Sequence, residues 1–303
     1  DKSLENQVVI ASCNLDNQNY EGTNLKLTEK VKNTLIKGYL KFRKTEISIF
    51  GYRFFEEVVA KQMTTYYADY TFERKLKALK ENQFKTIICL NNVIKKHRVA
   101  ISFLLYKNGL QYNFISQKAV PENFYQQLKG AGWNHLINQY EFQEFENLLP
   151  IEADDIKPQQ QINPWNLLPY DLIDNSFLWL VTETIFEGTG LSRCFFTEKT
   201  YKPISLFMPF VMVAQPYTLY NLKKEGYQTF SRWWDESYDL EVNEIKRMQK
   251  IIDVVKFIAQ KSRTELLSIY TEMQPVLKHN YNTLKNTTAA KPFVNYLVKK
   301  LSE

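Results

Sequence analysis

The sequence predicts an α/β protein, and three short apolar runs are the main reason. Each run has the length and composition of a buried parallel strand, and each is followed by a segment with helical features. The runs are residues 84–90, 177–182 and 210–213. Strands that alternate with helices form mainly parallel sheets, so we expect residues 81–303 to fold as one α/β domain.

Residues 1–80 predict a second and smaller α/β domain. Strand-like and helix-like segments alternate there in the order 8–12, 27–42, 46–50 and 54–63. This alternation is short for a complete nucleotide-binding fold, so we expect the N-terminal domain to be reduced or truncated. A charged and polar stretch, residues 70–82, marks the predicted junction between the two domains.

The first strand of the C-terminal domain leads into a basic loop. Residues 84–90 are followed by a Lys-Lys-His-Arg sequence, residues 95–98, and then by a predicted helix. Ligands of open α/β sheets bind at the carboxyl ends of the strands. The loop therefore predicts an anion site that includes Lys95 and Arg98, although a helix start that is basic without function explains the pattern as well. We expect His97 to be an exposed neighbour of these cations.

The stretch from Phe195 to Val213 combines a helix start with a buried strand. Thr197 is typical of a helix N-cap, and Glu198 is typical of the first turn, where backbone NH groups are unpaired. The helix predicted over 199–207 leads into the third strand. One point of the molecule would then offer free NH groups, a carboxylate for a ribose diol and an ammonium group for a phosphate.

The rest of the chain is predicted from weaker patterns. Residues 113–165 are less regular, with helices over 123–128 and 139–149 and a loop over 156–164. After the third strand we expect a helix over 219–226, a short strand over 227–230 and helices over 241–260, 264–279 and 293–301. Two tryptophans beside two acids, residues 233–236, fit either a sugar-binding platform or a helix entry that packs on the core, and we favour the entry.

The segment 177–213 resembles the donor-nucleotide motif of α1,3-fucosyltransferase-like glycosyltransferases. That motif is an aromatic-rich strand ending in an acidic residue, then Tyr-Val-Thr-Glu-Lys, a helix and a Pro-Val-Val strand. Residues 177–183, 196–199 and 209–213 match these parts, with Phe in place of the tyrosine. The resemblance implies a GT-B type fold of two Rossmann-like domains and the transfer of a sugar from a nucleotide-sugar donor to a hydroxyl acceptor.

The resemblance also implies a set of donor-binding residues. An arginine early in the C-terminal domain contacts the donor diphosphate in the family, and Arg98 is the best match. Lys202 lies one turn beyond Glu198 and is expected to face the same cleft. The donor-binding residues that we predict are Lys95, Arg98, Thr197, Glu198, Lys199 and Lys202.

The titratable residues favour transfer without a metal ion. His97, His135 and His279 lie far apart, and there is no Asp-x-Asp pair of the kind that holds Mn²⁺ in many glycosyltransferases. Positive side chains and a helix N-terminus are expected to take the charge of the leaving diphosphate instead. We expect no metal site and no cofactor, because the nucleotide-sugar is a co-substrate.

The sequence leaves the catalytic base open. The base would be a carboxylate that deprotonates the acceptor hydroxyl. The possibilities are Glu183, Glu56, Glu57 and Asp69. The family relatives that invert the anomeric centre take this group from the N-terminal domain.

The net charge of +6 is uneven along the chain, since residues 1–110 carry 19 Lys and Arg against 11 Asp and Glu. This excess predicts either a solvated lysine-rich surface or a face for an anionic acceptor or nucleic acid. Two alternatives to an ordinary glycosyltransferase therefore stay open. One is a nucleic-acid-modifying glycosyltransferase of phage or virus type, and the other is a non-catalytic binding protein with a glycosyltransferase fold.

The cysteines and the hydropathy indicate where the protein resides. Cys13, Cys89 and Cys194 are scattered and odd in number, which favours a reducing compartment, so we expect a cytoplasmic protein. No apolar run approaches the length of a membrane span.

Overall fold

The structure, a computed structural model, describes residues 59–60, 62–153, 168, 170–188 and 194–286. Residues 62–285 form one compact unit. Several predictions fall outside the described residues. They concern the strands and helix over 8–50, Glu56 and Glu57, the loop over 156–164 and the helix over 293–301.

A parallel β-sheet forms the centre of the compact unit. In the described residues it has four strands in the order β2-β1-β3-β4, and every neighbouring pair is parallel. The strands are β1 (Lys85–Asn91), β2 (Phe114–Gln117), β3 (Ser176–Thr182) and β4 (Phe210–Val213). The predicted α/β class and the three predicted strands are confirmed, whereas the pair of Rossmann-like domains of GT-B type stays a prediction.

Helices alternate with these strands and surround the sheet. Their bounds are α1 (Phe72–Glu81), α2 (Lys96–Lys107), α3 (Phe124–Gly130), α4 (Gln139–Glu146), α5 (Tyr170–Asp174), α6 (Glu198–Ser205), α7 (Thr218–Lys224), α8 (Glu244–Ala259), α9 (Arg263–Glu272) and α10 (Gln274–Asn286). All of β3 is buried, and α2 is buried from residue 97 to residue 105. None of the described helices has the length and apolar character needed to cross a membrane.

The strand order places a crevice between β1 and β3. The chain goes from β1 to β2 on one side and then crosses to β3 on the other, so the two connections diverge. Ile88 pairs with Trp179, and this register brings Asn91 and Thr182 to the same end of the sheet. The Thr182 hydroxyl donates to Asn91 Oδ1 there at 2.6 Å. Ligands of open parallel sheets bind at such a switch point.

Four local predictions differ from the structure. Strand β2 lies in a region predicted to be irregular, because its Ser and Gln interrupt the apolar pattern. Residues 227–230 are not a strand, since the backbone of Gln228 bonds to the side chain of Asn280 instead. The helix predicted over 264–279 is divided into α9 and α10. The stretch 70–82, predicted as a junction, is mostly α1 and belongs to the compact unit.

Helix α1 is fixed to the entrance of β3 by polar contacts. Lys75 is wholly buried, and its ammonium group donates to the carbonyls of Ile173 and Ser176. Arg74 forms an ion pair with Asp174 at 2.8 Å. Burial lowers the pKa of Lys75 to about 7, although the charge of Asp174 opposes this shift.

Candidate functional site

The basic loop after β1 is tied to the loop after β3. Lys95 Nζ donates to the Thr184 carbonyl at 2.6 Å. The Arg98 guanidinium donates to the Val93 carbonyl at 3.4 Å and to the Glu183 carbonyl at 3.3 Å. The two loops therefore lie side by side at the crevice, and these two cations join them.

Burial affects both Lys95 and Arg98, and one nitrogen of Arg98 has no hydrogen-bond partner among the described residues. Arg98 is 3% exposed, its Nε has no hydrogen-bond partner among the described residues, and burial lowers its pKa despite nearby carboxylates. Burial and then the charge of Arg98 lower the pKa of Lys95. The first turn of α2 carries no acidic residue to complement the helix macrodipole. This arrangement favours an anion in the crevice.

His97 is wholly buried, so its predicted exposure is wrong. Its Nε2 lies 3.0 Å from the Glu183 carbonyl, and its ring stacks on Phe186 with centroids 5.2 Å apart. Burial lowers its pKa to about 4, so the ring is neutral at pH 7. We therefore assign the proton to Nε2, because the carbonyl needs a donor. Helix α2 is buried on nearly all sides. The basic sequence at its start gave no sign of this burial.

Glu183 holds the start of α6. Its Oε1 accepts hydrogen bonds from the Thr197 amide at 3.0 Å and the Thr200 hydroxyl at 2.6 Å. Its Oε2 accepts from the Thr184 amide at 2.9 Å and the Thr197 hydroxyl at 2.8 Å. The carboxylate is 2% exposed and has four donors, so its geometry is that of a group that positions the helix N-terminus.

Helix α6 begins where the sequence predicts. Thr197 is the N-cap, and its hydroxyl accepts from the Lys199 amide at 3.3 Å. Lys199 Nζ pairs with Glu198 Oε1 at 2.7 Å, and the two side chains are 26% and 13% exposed. Burial acts to raise the pKa of Glu198, but the charge and hydrogen bond of Lys199 hold that pKa below its usual value. Burial lowers the pKa of Lys202 to about 8.

The predicted donor-binding residues meet at one edge of the sheet. The charge of Lys199 contributes to the lowered pKa of Lys95, and the charge of Glu198 acts on Arg98. The loop after β1 and the start of α6 both contact the loop after β3, through Lys95 with the Thr184 carbonyl and the Thr197 amide with Glu183. The set at this edge comprises Lys95, Arg98, Thr197, Glu198, Lys199 and Lys202.

The two predicted bases in the described residues, Glu183 and Asp69, are not brought together. Glu183 has the positioning geometry described above. Asp69 accepts a hydrogen bond from the Tyr170 hydroxyl at 2.5 Å, and Tyr170 begins the helix that leads into the amino end of β3. Asp69 therefore lies at the opposite edge of the sheet from the cations. Glu56 and Glu57 lie outside the described residues.

Arg247 fixes the loop after β3 and was not predicted. Its guanidinium is buried and donates to the carbonyls of Ala214 at 3.1 Å and Phe186 at 2.5 Å. It also lies 4.2 Å from the centroid of the Phe186 ring. One signal was available, because Arg247 precedes Ile251 by one turn on the apolar face of α8. A charged residue at such a position is rarely buried without dedicated partners.

The tryptophan pair fits the helix entry that we favoured from the sequence. Trp234 is buried and packs on Phe230 with ring centroids 5.3 Å apart. Asp235 accepts from the Ser237 amide at 2.8 Å, where a 3₁₀ turn begins. These contacts give the tryptophan and the acid structural roles.

Among the described residues, no three His, Cys, Asp or Glu side chains form a group that could hold a metal ion. The chain matches no protein-family model, no curated protein and no solved structure. Its function is therefore inferred from the geometry at the carboxyl ends of β1 and β3 and from the motif at the start of α6.

Proposed function

We propose that this protein transfers a sugar from a nucleotide-sugar donor to a hydroxyl acceptor without a metal ion. The convergence of Lys95, Arg98 and Lys199 on the N-termini of α2 and α6 carries this proposal. A nucleoside diphosphate leaves in such a reaction, and it gains negative charge in the transition state. Cations and helix amides held in fixed positions can stabilise that charge, as a divalent metal does in other glycosyltransferases.

Lys199 is the cation best placed to contact the diphosphate. Its side chain is 26% exposed, whereas Arg98 is almost wholly buried. In the ligand-free site Lys199 pairs with Glu198. A diphosphate carries more charge than one carboxylate and would compete for Lys199, which would leave Glu198 to accept hydrogen bonds from the ribose diol. Glu198 would then keep the charge of Lys202 as its nearby counter-charge, so its carboxylate is not left without a cation.

Arg98 would act mainly through its charge. Its guanidinium donates to the carbonyls of Val93, Thr182 and Glu183 and so lies beneath the crevice. A buried cation raises the positive potential above it, although the charges of Glu183 and Glu198 offset part of this effect.

The catalytic base is not identified among the residues around these cations. Both oxygens of Glu183 already accept two hydrogen bonds each, so this carboxylate is poorly suited to take a proton from an acceptor. Glu56 and Glu57, in the N-terminal segment, remain the proposed bases.

Calorimetric titration with a panel of nucleoside diphosphates, in buffer containing EDTA, tests this function. We expect the wild-type chain to bind at least one of them, and Lys95→Ala with Lys199→Ala to lose about 100-fold or more in affinity, because two charged contacts are removed. The matched control replaces two exposed lysines elsewhere, Lys129→Ala with Lys224→Ala. Absence of binding by the wild type, or binding only after Mn²⁺ is added, would contradict the proposal.

A further inference from the structure

Two exposed aliphatic side chains flank the cation cluster of Lys95, Arg98 and Lys199. Val93, in the loop after β1, is 54% exposed, and Ile185, in the loop after β3, is 38% exposed. Val93 precedes Lys95 by two residues, and its carbonyl accepts a hydrogen bond from Arg98. Apolar surface and positive charge are therefore presented together at this edge of the sheet.

Val93 and Ile185 follow the carboxyl ends of β1 and β3 at similar distances along the chain. The β1–β3 register pairs Ile88 with Trp179, so Val93 and Ile185 lie five and six residues further along adjacent strands and their loops. Adjacent strands are about 4.8 Å apart, and contacts from Lys95 keep the two loops together beyond the strand ends. Each of the two neighbouring loops therefore presents one exposed aliphatic side chain at the carboxyl end of the sheet.

Hydrogen bonds to the backbone hold both residues in place. The Val93 carbonyl is held by the buried Arg98, and the Ile185 carbonyl accepts from the Gln215 amide at 3.1 Å. Phe186, the next residue, occupies the inward position and is wholly buried. Ile185 therefore cannot turn inward without displacing Phe186, so its exposure is built into the loop.

We propose that Val93 and Ile185 make apolar contacts with the base of the donor nucleotide while the cation cluster binds its diphosphate. This inference rests on the proposed function and adds the recognition of the nucleoside. A nucleotide matches this surface because its diphosphate is anionic, whereas the faces of its base are flat and weakly polar. Aliphatic side chains contact the ring face, which every base presents, so the contact serves purines and pyrimidines alike.

Calorimetric titrations of the full chain with pyrophosphate, UDP and GDP test the inference, because pyrophosphate carries the charge without a base. The test variant is Val93→Ser with Ile185→Ser. The control is Phe257→Ser, because Phe257 is 47% exposed and lies near the C-terminal end of α8. We expect the test variant to lose about tenfold in affinity for both UDP and GDP, because apolar contact area is removed. Its affinity for pyrophosphate should stay within about twofold of the wild type.

The outcomes separate this inference from the function on which it rests. If the wild type binds neither these three ligands nor any other nucleoside diphosphate, the proposed function fails and the inference fails with it. If the wild type binds UDP or GDP and the test variant binds them equally well, only the nucleobase contact is refuted. An equal loss for pyrophosphate and both nucleotides would also refute it, because the substitutions would then act on the anion site. Retained pyrophosphate binding shows that the variant is folded.

Discussion

Burial lowers the pKa of both Lys95 and Arg98, and the charge of Arg98 lowers the pKa of Lys95 further. Surface lysines have no such cost, because water solvates them fully. A protein that retains such a cluster gives up some stability in the ligand-free state. Binding of an anion would recover that stability, which is the residue-level reason for placing the donor diphosphate here.

Lys199 and Glu198 are expected to affect different steps. Lys199→Ala should lower turnover by about 100-fold, because the leaving diphosphate gains charge in the transition state. Glu198→Gln should instead weaken nucleotide binding by about tenfold, since the ribose does not change during the reaction. Steady-state kinetics with calorimetry on each variant measures this split, with Lys129→Ala as control. Unchanged nucleotide affinity and turnover in both variants would remove the donor site from this motif.

The pH dependence of stability on the acid side is expected to depend on His97. Its pKa is lowered to about 4 in the folded state against about 6.5 unfolded, so the unfolded chain binds the extra proton between these values. The contribution of neutral His97 to the free energy of unfolding is therefore fully present above about pH 6.5. It is lost as the pH falls towards 4, by up to about 1.4 kcal/mol per pH unit.

Denaturant unfolding at pH 6.5 and pH 4.5 tests this expectation. His97→Gln keeps a donor for the Glu183 carbonyl but does not titrate, so its loss of stability over this range should be smaller than that of the wild type. His135→Gln, at an exposed histidine, should behave as the wild type. Equal losses in all three proteins would show that His97 is not protected from protonation.

At the scale of elements, the start of α6 depends on a carboxylate fourteen residues earlier in the chain. Helix N-termini carry amides without intrahelical partners, and a nearby acceptor satisfies them. Glu183 supplies that acceptor from the end of β3, so the strand and the helix are joined at the carboxyl edge. This contact also sets where Glu198 and Lys199 stand relative to the crevice.

Glu183→Gln is expected to destabilise the protein by about 2–3 kcal/mol, because an amide NH₂ must then face a backbone or hydroxyl donor. Any loss of activity should follow this loss of stability and should leave the pH profile of the remaining activity unchanged. Chemical denaturation and a pH–rate profile measure both. The control is Glu122→Gln, at an exposed carboxylate in the loop after β2. A full loss of turnover with unchanged stability would instead assign Glu183 a chemical role.

The elements that could be predicted from the sequence are those whose signals are local. Strand β3 is a continuous apolar run, and α6 has its N-cap residue, Thr197, directly before its first turn. The contacts of Glu183 and Arg247 could not be predicted, because their partners lie in other elements and are mostly backbone atoms. Strand β2 was missed because only four residues with alternating burial carry its pattern.

At the scale of the whole unit, positive charge is found in the interior as well as at the crevice. Lys75 lies on the buried side of α1 and has backbone carbonyls as hydrogen-bond acceptors. Arg247 is buried beside β4, and its hydrogen-bond acceptors are also backbone carbonyls. Burial lowers the pKa of Arg247 to about 10. These cations link elements that are far apart in sequence, so their protonation is coupled to the stability of the unit as a whole.

Lys75 should make the protein more stable as the pH rises from 7 to 9. Its pKa is about 7 when folded and about 10.4 when unfolded, so in this range the unfolded chain binds more protons and stability rises by up to about 1.4 kcal/mol per pH unit. Lys202, with a pKa of about 8, adds a smaller rise near the upper end.

The pH range of this test stops at 9 because of Cys89. Burial raises the pKa of Cys89 to about 12, whereas an unfolded cysteine ionises above about 8.5. The folded state therefore loses stability from this group at higher pH. Lys75→Met should reduce the slope of unfolding free energy against pH, and Lys80→Met, at an exposed lysine on the same helix, should not. A slope that is the same in Lys75→Met and the wild type would mean that the buried ammonium group keeps its proton throughout, held by the carbonyls of Ile173 and Ser176.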